Sequence, residues 1–266
     1  MKIIPLVENV VYTHGLKAEH GLCIYIETDN TKILFDTGQS GLFLENAKRL
    51  HISIEDIDVL ILSHGHYDHT GGLYEFIAHN TKAVIYAKKN ICTPKFHADG
   101  RTIGTPCKPE MLENRMTYLD SITHIDSQLS IIPNISIYSE LDTHFSKMFV
   151  QSLDGLIEDT FTDELFVVLH SSESISIITA CSHRGITNIC KTAHEIFKKP
   201  IYSVIGGFHT KDADSLQYEL ISQFCNTNAI SYIGVCHCTG VEMFARMKQD
   251  IVAKVEYVYT GKYIEL

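Results

Sequence analysis

The chain is poor in positive charge. Its 266 residues include 22 Lys and Arg against 32 Asp and Glu, which gives a formal net charge of −10. No run of Lys and Arg is longer than a pair, as at Lys88-Lys89 and Lys198-Lys199. Proteins that bind nucleic acids need clustered cations to offset the phosphate charge. The composition therefore argues against a nucleic-acid partner and against a nuclease.

Long apolar runs are also missing. No stretch approaches the ~20 apolar residues that a membrane span needs, and the strand-like start at Met1–Glu8 lacks the apolar run of a secretory signal. We therefore expect a cytoplasmic protein with no membrane partner. With 266 residues and 45% hydrophobic content, the chain is long enough for a single domain, residues 1–266, with a well-buried core.

Four potential metal ligands lie within six consecutive positions. Residues 63–72 read Ser-His-Gly-His-Tyr-Asp-His-Thr-Gly-Gly, and the branched apolar residues 57–62 before them predict a buried strand. The candidates therefore lie on a loop leaving a strand, where open α/β sheets tend to place their sites. The alternative is a surface loop that happens to be rich in histidine, but the dense pattern favours a metal site. Imidazole and carboxylate ligands suit zinc, iron or manganese.

Three later segments repeat the arrangement of an apolar strand followed directly by a histidine. Residues 175–183, 202–209 and 230–237 end in His183, His209 and His237. Any one of these histidines, taken alone, is more often an ordinary loop residue than a ligand. Three of them downstream of the first motif predict further contributions to the same site.

The combined pattern resembles the metallo-β-lactamase superfamily, whose α/β fold is a sandwich of two mixed sheets flanked by helices. The resemblance implies six metal ligands, namely His64, His66, Asp68, His69, His183 and His237. The set of His64, His66 and His183 would hold a first metal, and the other three a second. In the family's early Asp-x-Gly turn, here Asp36-Thr37-Gly38, the aspartate supports the metal loop from behind the ligands.

One position departs from the family pattern. Most binuclear members place an aspartate between the last two histidines, where its carboxylate bridges both metals, but this chain has His209 there. Imidazole bridges metals poorly, so His209 is predicted to be a terminal ligand, a proton donor or a substrate contact. The resemblance leaves one or two divalent ions open, with zinc expected and iron, manganese or magnesium as alternatives.

The cysteines leave one question about the metal site. Cys236-His237-Cys238 lacks the Cys-x-x-Cys spacing of a structural zinc site or a thioredoxin-like motif. Free cysteine fits a reducing compartment, and buried cysteine often serves as a small apolar residue. The alternative, that Cys236 or Cys238 joins the metal ligands, stays open.

Four short strings narrow the resemblance to one branch of the superfamily: residues 19–22, 180–186, 206–209 and 236–240. That branch includes the archaeal 7,8-dihydropterin-6-methyl-4-(β-D-ribofuranosyl)aminobenzene 5′-phosphate synthase, which joins a dihydropterin methyl diphosphate to an aryl amine and releases diphosphate. By this resemblance Asp68 and His209 are the predicted catalytic residues. His20, Arg184 and His209 are predicted substrate contacts.

Residues 91–161 carry four of the six prolines and show weak periodicity. The superfamily inserts substrate-covering elements at this point, so we expect a lid with a short helix near Pro109–Tyr118 and one or two strands around Ser130–Tyr138. The substrate is expected to be small, anionic and phosphorylated. The lid's candidate phosphate contacts are Lys95, His97, Arg101 and Arg115.

Three functions remain open at this point. The first is a metal-dependent transferase of the synthase type, and the second is a metal-dependent hydrolase of a small phosphodiester or thioester. The third is a non-hydrolytic metal-binding or di-iron protein. Di-iron members of the fold typically carry Glu in place of the second histidine, so His66 counts against the third. The oligomeric state is not predicted.

Overall fold

The structure, a computed structural model, describes residues 1–108, 112 and 115–266. The chain divides into two compact units. Unit 1 comprises residues 1–120, 146–163 and 259–266, and unit 2 comprises residues 121–145 and 164–258. Each unit contains a seven-stranded sheet in which half of the strand pairs are antiparallel and half are parallel.

The large sheet of unit 1 has the order β17-β1-β2-β3-β4-β5-β7, with strands numbered along the whole chain. These strands are β1 (Lys2–Val7), β2 (Cys23–Glu27), β3 (Lys32–Phe35), β4 (Val59–Ile61), β5 (Val84–Ala87), β7 (Met116–Tyr118) and β17 (Ile264–Glu265). The pairs from β17 to β3 are antiparallel, and those from β3 to β7 are parallel. The unit's helices are α1 (Leu42–Arg49), α2 (Tyr67–Thr70) and α3 (Leu73–His79).

Apolar packing fixes the strand that precedes the first metal motif. Every residue of β4 is buried, as expected for a strand in the parallel part of a sheet. Phe43 of α1 and Phe76 of α3 lie in one core cluster with Leu34 and Leu60. Burying an aromatic or branched side chain of this size stabilises the fold by roughly 1.5–3 kcal/mol. This core therefore holds the end of β4 in a defined position.

Unit 2 repeats the same design with its own sheet, in the order β16-β15-β14-β13-β12-β9-β8. Its strands are β8 (Thr123–His124), β9 (Leu129–Ile132), β12 (Phe166–His170), β13 (Ile175–Ile178), β14 (Ile201–Gly206), β15 (Tyr232–Val235) and β16 (Lys254–Tyr257). The pairs among β13, β14, β15 and β16 are parallel. The connecting helices are α4 (Ile186–Phe197), α5 (Ser215–Thr227) and α6 (Val241–Asp250).

The segment expected to form a lid is only partly separate from the two large sheets. Within unit 1, β6 (Lys95–His97), β10 (Met148–Ser152) and β11 (Gly155–Glu158) form a small antiparallel sheet in the order β11-β10-β6. The rest of the segment adds β7 to one large sheet and β8 and β9 to the other. Strands β7, β8 and β9 therefore belong to the two large sheets, and the lid-like insertion over 91–161 stays a prediction.

The local predictions for this segment have mixed outcomes. The helix near Pro109–Tyr118 is wrong for Met116–Tyr118, which pair with β5 as a strand, while positions 109–111 and 113–114 lie outside the described residues. A strand near Ser130–Tyr138 is confirmed for the first part, where β9 covers Leu129–Ile132.

Two of the eight cysteines form a disulfide that the sequence did not predict. Cys92 and Cys107 are bonded in unit 1, and the other six are free thiols. Among the described residues, no helix is both long and apolar enough to span a bilayer.

Asn80 offers a test of how unit 1 holds β4 and β5. Its buried amide donates to the carbonyls of Ile54 and Ile57 at 2.8 Å each and accepts from the backbone N–H of Lys82 and Ala83. Asn80→Ala should lower the free energy of unfolding of the metal-free protein by roughly 2–4 kcal/mol, because buried groups lose their partners. Exposed Asn30→Ala should change it by less than about 0.5 kcal/mol. Equal values in urea unfolding would contradict this account.

Candidate metal centre

The first motif occupies the turn between β4 and the start of α2, and its backbone is hydrogen-bonded to neighbouring segments. His66 is the N-cap of α2, and its carbonyl accepts from the Thr70 hydroxyl at 2.8 Å. The N–H of Tyr67 donates to the carbonyl of Ile103 at 3.0 Å. The carbonyl of His69 accepts from both the N–H and the hydroxyl of Thr37, at 2.7 and 3.0 Å. The backbone of the motif is therefore fixed on both sides.

The carboxylate of Asp36 contacts the motif on the side away from the candidate ligands' Nε2 atoms. One carboxylate oxygen accepts from the N–H of Ser63 at 2.7 Å. The other lies 2.7 Å from the Ser63 hydroxyl and 2.7 Å from Nδ1 of His69. The Ser63 hydroxyl also lies 2.8 Å from Nδ1 of His64. With Nδ1 engaged, each of these imidazoles can present Nε2 to a metal, which is the usual role of such a partner.

The four ligand candidates of unit 1 form two neighbouring pairs. Nε2 of His64 lies 3.1 Å from Nδ1 of His66, and Nε2 of His69 lies 3.7 Å from Oδ2 of Asp68. These are the pairs that the resemblance assigns to the first and second metals. The predicted substrate contact His20 lies beside the second pair, with Nε2 3.2 Å from Oδ2 of Asp68.

Electrostatics favour the metal-binding form of His64. Burial is the main cause that lowers the pKa of His64 well below its usual range, and the neighbouring His69 and His66 lower it further. The imidazole is therefore neutral at physiological pH, with a nitrogen lone pair available to a cation. Neutral nitrogen donors beside an aspartate fit a divalent ion such as zinc.

A buried ion triad lies on the other side of the His64-Gly65-His66 backbone. Nζ of Lys95 lies 2.6 Å from Asp159 and 2.8 Å from Asp163. The second oxygen of Asp163 accepts from the N–H of Gly65 at 2.7 Å. A Cβ at residue 65 would collide with the carbonyl of Ile91 and press on Asp163. Only glycine allows this close approach of the Ile91 carbonyl and the Asp163 carboxylate.

The same triad positions an aromatic ring against the motif. Asp159 accepts from the N–H of Phe161 at 2.8 Å, and Nζ of Lys95 lies 4.6 Å from the centre of the Phe161 ring. That ring meets the imidazole of His66 edge-on, with centroids 5.3 Å apart. The triad therefore restrains both the backbone and one ring face of the metal motif.

Unit 2 places its three predicted histidines at the carboxyl ends of parallel strands. His183 follows β13, His209 follows β14 and His237 follows β15. Three residues of these loops have left-handed backbone conformations, with φ of 58° at Ser182, 51° at His209 and 51° at His237. Such conformations are uncommon outside glycine and cluster at functional sites.

Hydrogen bonds among the loops of unit 2 hold these conformations. The Ser182 hydroxyl donates to the carbonyl of Gly207 at 2.7 Å, and the N–H of Phe208 donates to the Thr239 hydroxyl at 2.9 Å. The buried carboxylate of Glu164 accepts from the N–H of His183 at 2.8 Å. The sequence did not predict this role of Glu164, because no motif near Glu164 indicates that it accepts from a residue 19 positions away.

The donor atoms of unit 2 fall into two groups that could each hold a metal. In one group the donor atoms of Cys181, His183 and His209 lie within 4.8 Å of one another. In the other the same holds for Cys181, His237 and Cys238. His183, His209 and His237 are predicted site residues, whereas Cys181 was not among the predicted donors.

His144 is a further residue that the sequence did not place near the site. Its ring lies 4.8 Å from that of His209, whose ring in turn lies 4.4 Å from that of His183. Burial, together with His209, lowers the pKa of His144 to about 3. His144 is therefore neutral, and a nitrogen of its ring lies 2.9 Å from the side-chain amide of Gln217.

The predicted phosphate contacts are engaged within the protein. Lys95 is only 2% exposed and belongs to the triad, so its prediction as a substrate contact is wrong. Arg101 and His97 both pair with Asp99 on the surface. Arg115 donates to the backbone of Asn80 and Ala83. The Arg184 guanidinium donates to the carbonyl of Ile135 at 3.0 Å, so it is engaged with the backbone of its own unit.

Comparison with known proteins agrees with this geometry. Residues 16–110 match the family model described as the metallo-beta-lactamase superfamily. A solved structure described as a metal-dependent hydrolase of the beta-lactamase superfamily superposes with a TM-score of 0.89 at 29% identity, covering 100% of this chain and 99% of the other. The chain has the metallo-β-lactamase fold. The resemblance seen in the motifs is confirmed.

The relatives also include the branch that the short strings indicated. The 7,8-dihydropterin-6-methyl-4-(beta-D-ribofuranosyl)-aminobenzene-5′-phosphate synthase of Methanocaldococcus jannaschii is 27% identical over 100% of this chain and 96% of that protein. An uncharacterized protein of the same organism is 28% identical over 97% of this chain and 98% of its own length. A diphosphatase of the PhnP family shares the fold, with a TM-score of 0.58 at 12% identity.

Asp36 can be tested through metal affinity. Asp36→Asn should weaken zinc binding by about 10–100-fold, because His69 and Ser63 lose the carboxylate that orients them. The affinity would be measured by competition with a coloured chelator. The exposed Asp56→Asn, which removes a surface partner of Lys32, is the control and should bind zinc as the wild type does. An unchanged affinity in Asp36→Asn would contradict the supporting role.

The triad can be tested through stability. Burial lowers the pKa of Lys95, but Asp163 and Asp159 outweigh that effect, and the net shift is upward. Lys95→Met would leave two buried carboxylates without their cation and should cost about 3–5 kcal/mol of unfolding free energy. Lys82→Met removes an exposed partner of Asp58 and should cost at most about 1 kcal/mol. Similar losses in the two variants, measured in urea, would argue against a stabilising triad.

Proposed function

We propose that this protein is a metal-dependent enzyme whose ligands are His64, His66, Asp68, His69, His183 and His237. The observation that carries the proposal is the orientation of His64 and His69 by Ser63 and Asp36. A histidine that only packs in a core needs no hydrogen-bond partner that orients its ring. A metal-binding histidine usually has such a partner on the nitrogen that does not bind the metal.

We further propose that the reaction is of the synthase type, in which a methyl diphosphate reacts with an aryl amine. The support is the alignment with the synthase of M. jannaschii over the whole chain. In this reaction the C–O bond to diphosphate breaks as the amine nitrogen bonds to the methylene carbon, and the amine loses one proton. A bound divalent ion supplies Lewis-acid charge to the leaving diphosphate.

The residues of the chain have separate roles in this proposal. Asp68 is the proton acceptor, and the proton can pass on to His20, because Oδ2 of Asp68 lies 3.2 Å from Nε2 of this more exposed imidazole. His209 contacts or protonates the leaving group, since its loop is held in a strained conformation beside His183. The neutral His144 packs behind His209 and positions it.

In this proposal the diphosphate is recognised by the metal centre and by His209. Lys95, Arg101, Arg115 and Arg184 are each engaged with protein acceptors, so they do not form a cationic pocket. We propose that the substrate is a small phosphorylated aromatic molecule.

A second candidate is a metal-dependent hydrolase of a small phosphodiester or thioester. It is favoured by the likeness to the solved structure that is described as a metal-dependent hydrolase. The same ligand set serves this reaction, with water in place of the amine as the nucleophile.

One assay separates the two candidates. Diphosphate release from dihydropterin-6-methyl diphosphate is measured with anaerobically purified protein and divalent metal, with and without 4-(β-D-ribofuranosyl)aminobenzene 5′-phosphate. Release that requires the amine, with a joined product by mass spectrometry, supports the synthase. Absence of amine-dependent release favours the hydrolase, which is then assayed with phosphodiesters and thioesters.

Two variants tie the result to the metal ligands. His66→Ala should lower turnover by at least about 100-fold while leaving a folded protein, because one ligand is lost. His79→Ala, at the exposed end of α3, should retain full turnover. Full activity in His66→Ala would overturn the metal assignment.

A further inference from the structure

The cysteine at the end of β13 lies where two groups of metal donors meet. The sulfur of Cys181 belongs both to the group with His183 and His209 and to the group with His237 and Cys238. No other residue of unit 2 belongs to both groups, as far as the described residues show. Cys181 is 3% exposed, so its sulfur is directed into this cluster rather than to solvent.

The backbone around the cluster is shaped to admit the second sulfur. A Cβ on Gly207 would lie 2.5 Å from Sγ of Cys238 and would also collide with the carbonyl of Ala180. Sγ of Cys238 lies 3.5 Å from the carbonyl of Cys181, so the two cysteines adjoin. Glycine at residue 207 is therefore required by the carbonyl of Ala180 and by the sulfur of Cys238.

The chain also lacks the aspartate whose bridging carboxylate the cysteine sulfur could replace. The usual bridging aspartate is absent, and His209 stands at its position. A thiolate sulfur has several lone pairs and can bridge two cations, whereas an imidazole nitrogen has only one lone pair. Thiolate is also among the strongest ligands for zinc and iron in proteins.

We propose that Cys181 is a metal ligand that joins the two donor groups of unit 2 in place of the bridging carboxylate, with Cys238 as a further thiolate ligand. Each thiol loses its proton to solvent as the metal–sulfur bond forms. This proposal rests on the proposed metal centre and deepens it, since sulfur ligation would favour softer ions, such as zinc and iron, over magnesium.

Cobalt substitution tests the proposal without measuring activity. The full-length protein is freed of metal and titrated with Co(II) under anaerobic conditions. The wild type should show an intense thiolate-to-cobalt charge-transfer band in the near ultraviolet, beside the weaker visible bands of the ion. Cys181→Ala should lose more than half of that band, and Cys238→Ala should lose a smaller part.

Cys190→Ala is the matched control. Cys190 is also a buried thiol of unit 2, where burial raises its pKa, but it lies in helix α4 and in neither donor group. This variant should keep the full charge-transfer band. An equal band in wild type, Cys181→Ala and Cys190→Ala would overturn the proposal.

The outcomes also separate this proposal from the proposed function. Visible cobalt bands without a charge-transfer band would leave the metal centre intact and overturn sulfur ligation alone. Failure of the wild type to bind cobalt or zinc would overturn both. If Cys181→Ala does not fold, X-ray absorption on the zinc-loaded wild type decides, because ligation requires sulfur at about 2.3 Å from zinc. A shell of nitrogen and oxygen only would overturn the proposal.

Discussion

The carboxylate of Asp36 is the interaction on which the first metal motif depends. It is fully buried and accepts from the backbone and hydroxyl of Ser63 while also holding the imidazole of His69. A buried carboxylate without such partners would cost several kcal/mol, so the loop and the carboxylate stabilise each other. Loss of this one group would release the orientation of two histidines together. The hydrogen bonds of Asp36 therefore fix the geometry of the motif without a bound ion.

The two units position their candidate ligands by the same physical means. In each, parallel strands end at one edge of a sheet, and the following residues carry the donors. In each, the turn after a strand requires an uncommon left-handed residue, as at Asp36 in unit 1 and at His237 in unit 2. Such backbone costs on the order of 1–3 kcal/mol per residue and persists only where surrounding hydrogen bonds hold it. The strain is located where donor side chains must be turned away from the strand direction.

Sequence reasoning succeeded where the pattern was local and failed where the partners were distant. The motif around His64 and the three strand-then-histidine segments are read within about ten residues each, and the structure places all of them at strand ends. Lysine is a residue type that often contacts phosphate at protein surfaces. The partners of Lys95, however, are carboxylates that lie 64 and 68 positions away in the chain. No local pattern could show that its charge is buried and neutralised. The same holds for the disulfide between Cys92 and Cys107 and for the acceptor Glu164.

By itself, the sequence determined the strands that carry the motifs and the types of donor atom available, because these depend on short-range periodicity and on residue chemistry. The fold was indicated by the resemblance of the motifs to the metallo-β-lactamase superfamily. Only the tertiary structure decided which charged groups pair with one another. It also decided that the Phe161 ring packs edge-on against the imidazole of His66 and that the sulfur of Cys181 lies among histidine nitrogens. Those outcomes depend on contacts between segments far apart in the chain. Burial and hydrogen bonding in the folded protein select among the many pairings that the composition allows.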